Sequence, residues 1–487
     1  MKRQAIFFGL AFLALSLLGV SSAANLPLAG SLDPSFGDGG VVTRSLGSGE
    51  DPFIGGIAVQ PDGKIVVAGG SSPGDHGLLL ARYLPDGLPD PSFGDGGYVE
   101  TQVGVWAFAE SIALQPDGKI VVAGGSYQGD DNVLEEFTLA RYNPNGSLDT
   151  SFGTDGITNT VIPEQPEPTL DTPESATART LAVLPDGDLL AAGSSVWDES
   201  FKSDKTSFAL ARYTPDGSLD PTFGDGGIVQ TASPGVGVGI AIQPDGEVVA
   251  SEGNALNGYG PTGSLNLAFD SNPELRSDDA LTLQGGKIVV AGTSPHKRHT
   301  PWFLVVARYK TNGRIDSTFG AHGHAEIMSV RGFLPTAVLT QTDGKILIAW
   351  WGIANDQQLQ GGVARLLPNG RLDPSFGTGG VVRLPIQVLA LALQADQKIL
   401  VGGGNGNAWT LDRLLGGNNC VVPGLRGETV SKARAALTKS YCTTGDISKV
   451  YSNKVARGRV ISTAPLRGER LLGGTKVDLT VSKGKRH

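Results

Sequence analysis

The chain has 487 residues, of which 40% are hydrophobic and 18% charged, and its formal net charge is −9. The hydrophobic content excludes global disorder, and the length exceeds that of one ordinary domain unless a repeat architecture carries it. The 70 glycines and 29 prolines favour many turns and short strands.

The N-terminus has the pattern of an export signal. Lys2 and Arg3 precede an apolar run from Ala5 to Val20, which the small residues SSAA follow. This run is short for a membrane span, which needs about 20 residues, so an uncleaved anchor is the weaker alternative. We predict a signal peptide over residues 1–24 and a secreted mature chain with no membrane span after cleavage.

A hairpin phrase recurs along residues 25–419. It is IAVQPDGKIVVAGG at 57–70, and variants bring the number of copies to seven. The alternation of apolar residues and the Val and Ile content predict two strands. Pro-Asp-Gly predicts the tight turn between them, so each copy should form an antiparallel strand pair.

A second phrase follows each hairpin, as in LARYLPDGLPDPSFGDGGYV at 80–99. It predicts a strand ending in Ala-Arg-Tyr, a turn, an Asp-Pro segment ending at Phe, and the start of another strand. Seven units of four strands are typical of a β-propeller. One phenylalanine per unit is expected to pack between blades rather than to stack on a ligand: Phe36, Phe93, Phe152, Phe223, Phe269, Phe319 and Phe376.

The two ends of the repeat region complement each other. SLDPSFG at 31–37 has no arginine-bearing strand before it, and the seventh unit ends at TLDRLLGG (410–417) with no SLDPSFG after it. An open solenoid would instead need capping repeats. We therefore predict that residues 31–42 lie beside residues 410–416 and close a seven-bladed ring.

An arginine and an aspartate recur eight residues apart in the second phrase. In the fourth unit both are replaced, by Gly258 and Asn266, and this joint loss indicates that they pair. Such pairs define register more than they add net stability, and a row of solvated charges is the alternative. The predicted pairs are Arg82 with Asp90, Arg141 with Asp149, Arg212 with Asp220, Arg308 with Asp316, Arg365 with Asp373 and, across the chain ends, Arg413 with Asp33.

These units resemble the delta-60 repeat of exported and surface proteins of bacteria, over about residues 30–417. The resemblance implies a fold but no particular activity. The chain has no P-loop and no Gly-x-Ser-x-Gly motif, and its histidines lack zinc-ligand spacing. We therefore name no catalytic residue, no metal site and no nucleic-acid partner, and we lean towards a protein that is not an enzyme.

The variable loops should share one face of the ring. Because successive strands are antiparallel, the Pro-Asp-Gly turns lie on the opposite face. Long loops on a rigid scaffold usually carry binding, so we expect a protein or glycan partner on the variable face. Candidate residues there are Asp130, Asp131, Glu135, Glu136, Asp198, Glu199, His296 and His299.

Three alternatives remain open for the acidic residues. Loop carboxylates could hold Ca²⁺ in a calcium-stabilised adhesin, or they could simply keep exposed loops soluble. Acids around the ring axis could instead serve a secreted glycan-active hydrolase or lyase.

Residues 420–487 form a domain of different character. They hold 14 Lys and Arg against 4 Asp and Glu, whereas residues 25–419 hold 23 against 44. A helix is predicted over about 428–439, with strands after it. The only two cysteines, Cys420 and Cys442, predict a disulfide in an exported protein.

This segment is similar to a PASTA domain, with VVPGLRG at 421–427 and VISTAPLRGERLLGGTKVDLTVSKG at 460–484. The resemblance implies a wall-facing role, and the basic charge suits peptidoglycan or anionic wall polymers. A spacer module is the alternative. The predicted architecture is an all-β seven-bladed propeller followed by a small α+β domain, in an exported, non-enzymatic binding or scaffold protein associated with the wall of a bacterium.

Overall fold

The computed structural model contains seven four-stranded antiparallel sheets and a small C-terminal domain. It describes residues 29–47, 50–72, 76–127, 135–163, 175–196, 206–231, 239–252, 255–269, 277–295, 302–330, 333–353, 359–417, 420–440, 442–471 and 475–486. The expected signal segment, residues 1–24, lies outside the described residues. Within the ranges given above, no helix is long and apolar enough to cross a membrane.

Each of the first six blades contains one hairpin, the strand at the Ala-Arg-Tyr position and the short strand after the next turn. The strands begin with β1 (Val41–Arg44), and blade 1 contains β2 (Asp51–Val59), β3 (Ile65–Ser72), β4 (Leu78–Tyr83) and β5 (Tyr98–Thr101). Blade 2 contains β6 (Trp106–Leu114), β7 (Ile120–Tyr127), β8 (Glu135–Tyr142) and β9 (Ile157–Thr160), and blade 3 contains β10 (Ser175–Val183), β11 (Leu189–Val196), β12 (Thr206–Tyr213) and β13 (Ile228–Thr231).

The remaining blades follow the same order. Blade 4 contains β14 (Ile240–Ile242), β15 (Val248–Glu252), β16 (Ala255–Tyr259) and β17 (Leu265–Ala268), and blade 5 contains β18 (Ser277–Gln284), β19 (Lys287–Pro295), β20 (Trp302–Tyr309) and β21 (His324–Val330). Blade 6 contains β22 (Phe333–Thr340), β23 (Ile346–Ile353), β24 (Leu359–Leu366) and β25 (Val381–Leu384), and blade 7 contains β26 (Gln387–Leu393), β27 (Ile399–Gly404) and β28 (Trp409–Leu414), with β1 as its fourth strand.

The hairpin turns owe their shape to Pro-Asp-Gly. In blade 1, Gly63 has a φ of 88°, a left-handed conformation that glycine adopts without steric cost. The carboxylate of Asp62 accepts a hydrogen bond of 3.1 Å from the backbone N–H of Lys64. An aspartate accepts the equivalent bond in every other blade except blade 5, which turns through Gly285 and Gly286, and the chain reverses at one face of the ring.

The first strand of six blades contains a β-bulge, at which one residue has no partner in the second strand. A bulge bends the strand and changes the direction in which the side chain of the extra residue points. A Cβ on the glycine opposite the bulge, as at Gly69, would collide with the carbonyl oxygen of Phe53, which accounts for the repeated Ala-Gly-Gly. The unpaired residues are Gly55, Glu110, Arg179, Asp279, Thr336 and Leu389.

Seven apolar clusters hold the blades together, and each contains side chains from two neighbouring blades. One of them joins blade 1 to blade 7, with Ile54 and Ala81 packed in the same cluster as Leu400 and Leu411. The seven sheets therefore form a closed ring, as the sequence predicted.

The closing blade joins the two ends of the repeat region. Strand β1 pairs antiparallel with β28, so that Val41 lies opposite Asp412. Before β1, the backbone N–H of Asp33 donates to the carbonyl oxygen of Arg413 at 2.8 Å, and Ala29 accepts a bond of 2.8 Å from Gly377. The chain therefore begins in mid-repeat because this segment completes the seventh unit.

Blade 4 departs from the repeat. Its last strand, β17, pairs with β16 directly after the turn, with Tyr259 opposite Leu265, where the other units have the Asp-Pro segment. The six other repeated phenylalanines are buried, with at most 2% exposure. Phe269 is only partly buried and packs edge-on against Tyr309 at 5.6 Å. Phe269 therefore packs against the apolar cluster between blades 4 and 5, as expected, but it is less buried than the six others, in a unit that lacks both the arginine and the aspartate.

The C-terminal domain has one helix on a small sheet. It contains β29 (Cys420–Val421), α1 (Val430–Lys439), β30 (Thr443–Val450), β31 (Val460–Ala464), β32 (Arg470–Leu471) and β33 (Lys476–Ser482). The hydroxyl of Thr429 caps the helix by accepting from Lys432 N. Ala433 and Leu437 face a core shared with Val460 and Leu479. A disulfide joins Cys420 to Cys442, as predicted.

Candidate functional site

The first strands of all seven blades surround a cavity of about 700 Å³ along the ring axis. Its lining includes the bulge residues Gly55, Glu110, Arg179, Thr336 and Leu389. Asp51 and Phe53 also line it near the start of β2, which is the end away from the Pro-Asp-Gly turns. The channel therefore extends to the end of the ring opposite the hairpin turns.

Two opposite charges lie side by side on the wall of this channel. Glu110 of blade 2 is half-buried and Arg179 of blade 3 is exposed. Neither side chain makes a hydrogen bond or an ion pair in the described part of the chain. In a ring of seven blades, the junction of blades 2 and 3 lies across the axis from blade 6.

The opposite wall is apolar. Leu334 and Leu339 of blade 6 and Leu389 of blade 7 line it, and Leu334 is 45% exposed. Hydrogen bonds between neighbouring first strands hold the lining in place. Ser111 Oγ accepts from Leu181 N at 3.1 Å, and Thr336 Oγ1 donates to the carbonyl oxygen of Val388 at 2.9 Å.

The repeated arginines and aspartates lie at the opposite end of the blades, and the structure brings all six expected pairs together. The Nε to Oδ2 distance is 2.9 Å for Arg413 and Asp33 and 3.3 Å for Arg212 and Asp220. The other pairs, with distances from 2.7 to 3.0 Å, are Arg82 with Asp90, Arg141 with Asp149, Arg308 with Asp316 and Arg365 with Asp373.

Each of these arginines also reaches into the next blade. Arg308 donates to the carbonyl oxygen of Pro368 at 2.7 Å and lies 4.6 Å over the ring of Phe319. Because the guanidinium is buried and fully occupied, this cluster joins blades and presents nothing to a ligand.

Sequence reasoning missed a third member of five of the six clusters, the lysine that follows the hairpin turn. Lys64 lies 3.0 Å from Asp90. Burial opposes ionisation of Asp90, but hydrogen bonds from Ser92 and Lys64 and the charge of Arg82 outweigh it, so the pKa of Asp90 is held well below its usual range. The signal was present, because lysine follows the turn in the units that retain a fully buried pair.

Blade 3 has an aspartate in place of this lysine, and the geometry changes accordingly. Arg212 Nη2 lies 2.8 Å from both Asp186 and Asp188, so its guanidinium is drawn towards the hairpin turn and away from Asp220.

Most candidate residues of the loop face lie outside the described residues: Asp130, Asp131, Asp198, Glu199, His296 and His299. Glu135 is described only as the first residue of β8. Glu136 is half-buried, and burial raises the pKa of its carboxyl. Among the residues the structure describes, no three or more His, Cys, Asp or Glu side chains group as metal ligands would.

Asp412 is a buried acid that the sequence analysis did not single out. It is 4% exposed, its Oδ1 has no hydrogen-bond partner, and burial raises the pKa of its carboxyl to about 7. It stands where five other blades have alanine in Leu-Ala-Arg, and this replacement in TLDRLL was visible in the sequence.

Together these features define a closed repeat β-propeller that carries a basic C-terminal module. A domain of unknown function (DUF5122) beta-propeller matches residues 60–93, 115–152, 184–223, 286–319 and 341–376, and a PASTA domain matches residues 421–483. The chain is a DUF5122 β-propeller protein with a C-terminal PASTA domain.

Several known proteins are similar to part of this chain. A probable serine/threonine-protein kinase of Clostridium acetobutylicum is 34% identical over 80 residues, which are 16% of this chain and only 12% of the kinase. The extracellular region of the Ser/Thr kinase PrkC from Staphylococcus aureus is 36% identical, with 13% of this chain and 22% of that chain covered and a TM-score of 0.13. The Neurospora crassa Pan2 WD40 domain is 12% identical, with 75% and 89% covered and a TM-score of 0.40.

Proposed function

We propose that this is an extracellular, non-enzymatic binding or scaffold protein that associates with the bacterial cell wall through residues 420–487. The observation that carries the proposal is the PASTA domain matched at 421–483.

The charge distribution supports attachment through the tail. All basic side chains that the structure describes in this domain are exposed. Over residues 420–487, Lys and Arg outnumber Asp and Glu by 14 to 4. The propeller has a formal charge of −21. An anionic wall polymer or peptidoglycan carboxylate should therefore attract the tail and repel the ring, and added salt should weaken both effects.

The ring would then present its variable loop face to a further partner. Support comes from the strand order, since the hairpin turns lie at one end of the blades and the starts of the channel-lining strands lie at the other. The expected partner is a protein or a glycan, consistent with the usual role of long loops on a rigid scaffold.

Co-sedimentation with purified cell walls tests the attachment. The chain from residue 25 should sediment with walls at low salt and less so at high salt, whereas a chain truncated after Gly417 should stay in solution. Equal sedimentation of the two would contradict the proposal.

A charge-matched pair of variants separates local binding from net charge. Lys449→Glu, Lys454→Glu and Arg457→Glu together should abolish sedimentation, because these side chains are exposed in the tail. The control changes Lys310, Arg314 and Arg371 to Glu, which are exposed on the propeller turns, and it should sediment normally.

A further inference from the structure

We propose that the axial channel binds a short zwitterionic peptide of apolar residues, with Arg179 holding the carboxylate and Glu110 the ammonium group. The proposal concerns the propeller alone and does not depend on attachment of the tail to a wall.

The first step is that the fold does not require these two charges. The bulge position recurs in six of the first strands, yet it carries Gly55, Glu110, Arg179, Asp279, Thr336 and Leu389. Blade 1 forms its bulge with a glycine, so a side chain here is not needed for closure or packing. Variation at a repeated position that lines a cavity is what a binding site for an asymmetric ligand needs.

The second step is that two opposite charges line the same cavity without forming an ion pair with each other. Glu110 and Arg179 lie on adjacent blades and both line the cavity, and neither has a partner among the described residues. A guanidinium offers a planar fork of N–H donors that fits a carboxylate, and a carboxylate accepts from an ammonium group. A ligand with both groups would satisfy both side chains at once.

The third step is the wall across the axis. Leu334, Leu339 and Leu389 leave an apolar surface facing the charged pair, where apolar ligand side chains would lose water contact. The hydroxyls of a neutral glycan would hydrogen-bond both side chains but would neutralise neither charge, and a polyanion would meet the carboxylates of Asp51 and Glu110.

The fourth step is size. The cavity volume of about 700 Å³ lies within the range of small-molecule sites, roughly 300–1,000 Å³. It therefore accommodates a dipeptide or tripeptide, and the hydrogen bonds between first strands would keep the site formed in the absence of ligand.

Calorimetric titration of the wild-type protein with the dipeptide Leu-Leu tests the proposal from the ligand side. Leu-Leu should bind, and the same dipeptide with an acetylated amine and an amidated carboxylate should bind about tenfold to a hundredfold more weakly. Equal affinities for the two forms, or no binding of Leu-Leu at millimolar concentration, would overturn the proposal.

Variants test it from the protein side. Arg179→Ala and Glu110→Gln should each weaken Leu-Leu binding about tenfold or more with little change in the melting temperature, since neither side chain makes a hydrogen bond or an ion pair among the described residues. Arg179→Lys should lose less than Arg179→Ala. Arg314→Ala, on an exposed turn far from the channel lining, is the matched control and should bind normally.

The chain truncated after Gly417 keeps the result separate from the proposed function. It should bind Leu-Leu as the full chain does, whatever its behaviour with cell walls. Loss of dipeptide binding on truncation would contradict a site formed by the propeller alone.

Discussion

Replacing Asp412 should make the ring more stable at alkaline pH. The residue lies on β28 between Thr410 and Leu414, on the strand face that turns towards blade 6, and it lies opposite Val401 in β27. The core of the junction of blades 6 and 7 is an apolar cluster, and Arg365 of blade 6, which donates to the carbonyl oxygen of Gly416, is paired with Asp373. Other blades have alanine here: Ala81, Ala140, Ala211, Ala307 and Ala364.

The size of the effect follows from the pKa. Burial raises the pKa of Asp412 from an ordinary value of 3.8 to about 7. Between these values the unfolded chain is ionised and the native chain is not, so stability falls as pH rises and the loss is complete above about pH 7. A difference of about 3 pH units corresponds to a free-energy cost of about 4 kcal/mol.

Urea unfolding at about pH 5 and pH 8.5 measures this cost. The stability gained by Asp412→Ala over wild type should be about 3 kcal/mol larger at the higher pH, because about 2 pH units of the effect lie above pH 5. Asp412→Asn should show the same pH dependence because it also cannot ionise. The remaining carboxylates titrate in all three proteins, so their contributions cancel. A stability difference that is the same at both pH values would refute the account, since it would mean that the native carboxyl ionises normally.

Two other predictions concern the contacts between blades and the disulfide of the C-terminal domain. Arg413→Ala and Arg82→Ala remove matching contacts to an aspartate, a serine and a carbonyl oxygen of the neighbouring blade, and each should cost about 3–5 kcal/mol. Only Arg413→Ala should speed hydrogen exchange in β1, and similar exchange in both variants would show that the pair does not hold the ring closed. Replacing Cys420 and Cys442 by serine should lower the stability of the C-terminal domain by roughly 3 kcal/mol for a separation of 22 residues. Calorimetry should show an unchanged propeller transition. A shift of that transition would mean that the two domains unfold together.

The fold was predictable because its determinants are local and repeated. Alternating apolar residues and Pro-Asp-Gly specify each hairpin without reference to the rest of the chain. The mismatch between SLDPSFG at 31–37 and TLDRLLGG at 410–417 then leaves only one way to complete the seventh unit.

The channel wall was not predictable in the same way. Strand alternation assigns each residue to one of two faces, but a bulge adds a residue and changes the assignment from that point on. Glu110 and Arg179 are the added residues. Their position beside the ring axis is therefore known only once the strand register is known. In blade 4 the sequence did show the change. Gly258 and Asn266 replace the arginine and the aspartate, and Phe269 in the same unit is less buried than the other six phenylalanines.

The closing blade combines two opposing pH effects on one strand. Asp33 and Arg413 join β1 to β28, and hydrogen bonds from Ser35 and the charges of Lys398 and Arg413 outweigh burial and lower the pKa of Asp33. That contribution is present above pH 3.8 and is lost as pH falls further. Asp412, the next residue to Arg413 but on the opposite face, destabilises the same pairing progressively above pH 3.8. The pairing of β1 with β28 should therefore be strongest in mildly acidic solution, and at alkaline pH this one non-covalent closure is where unfolding of the ring should begin.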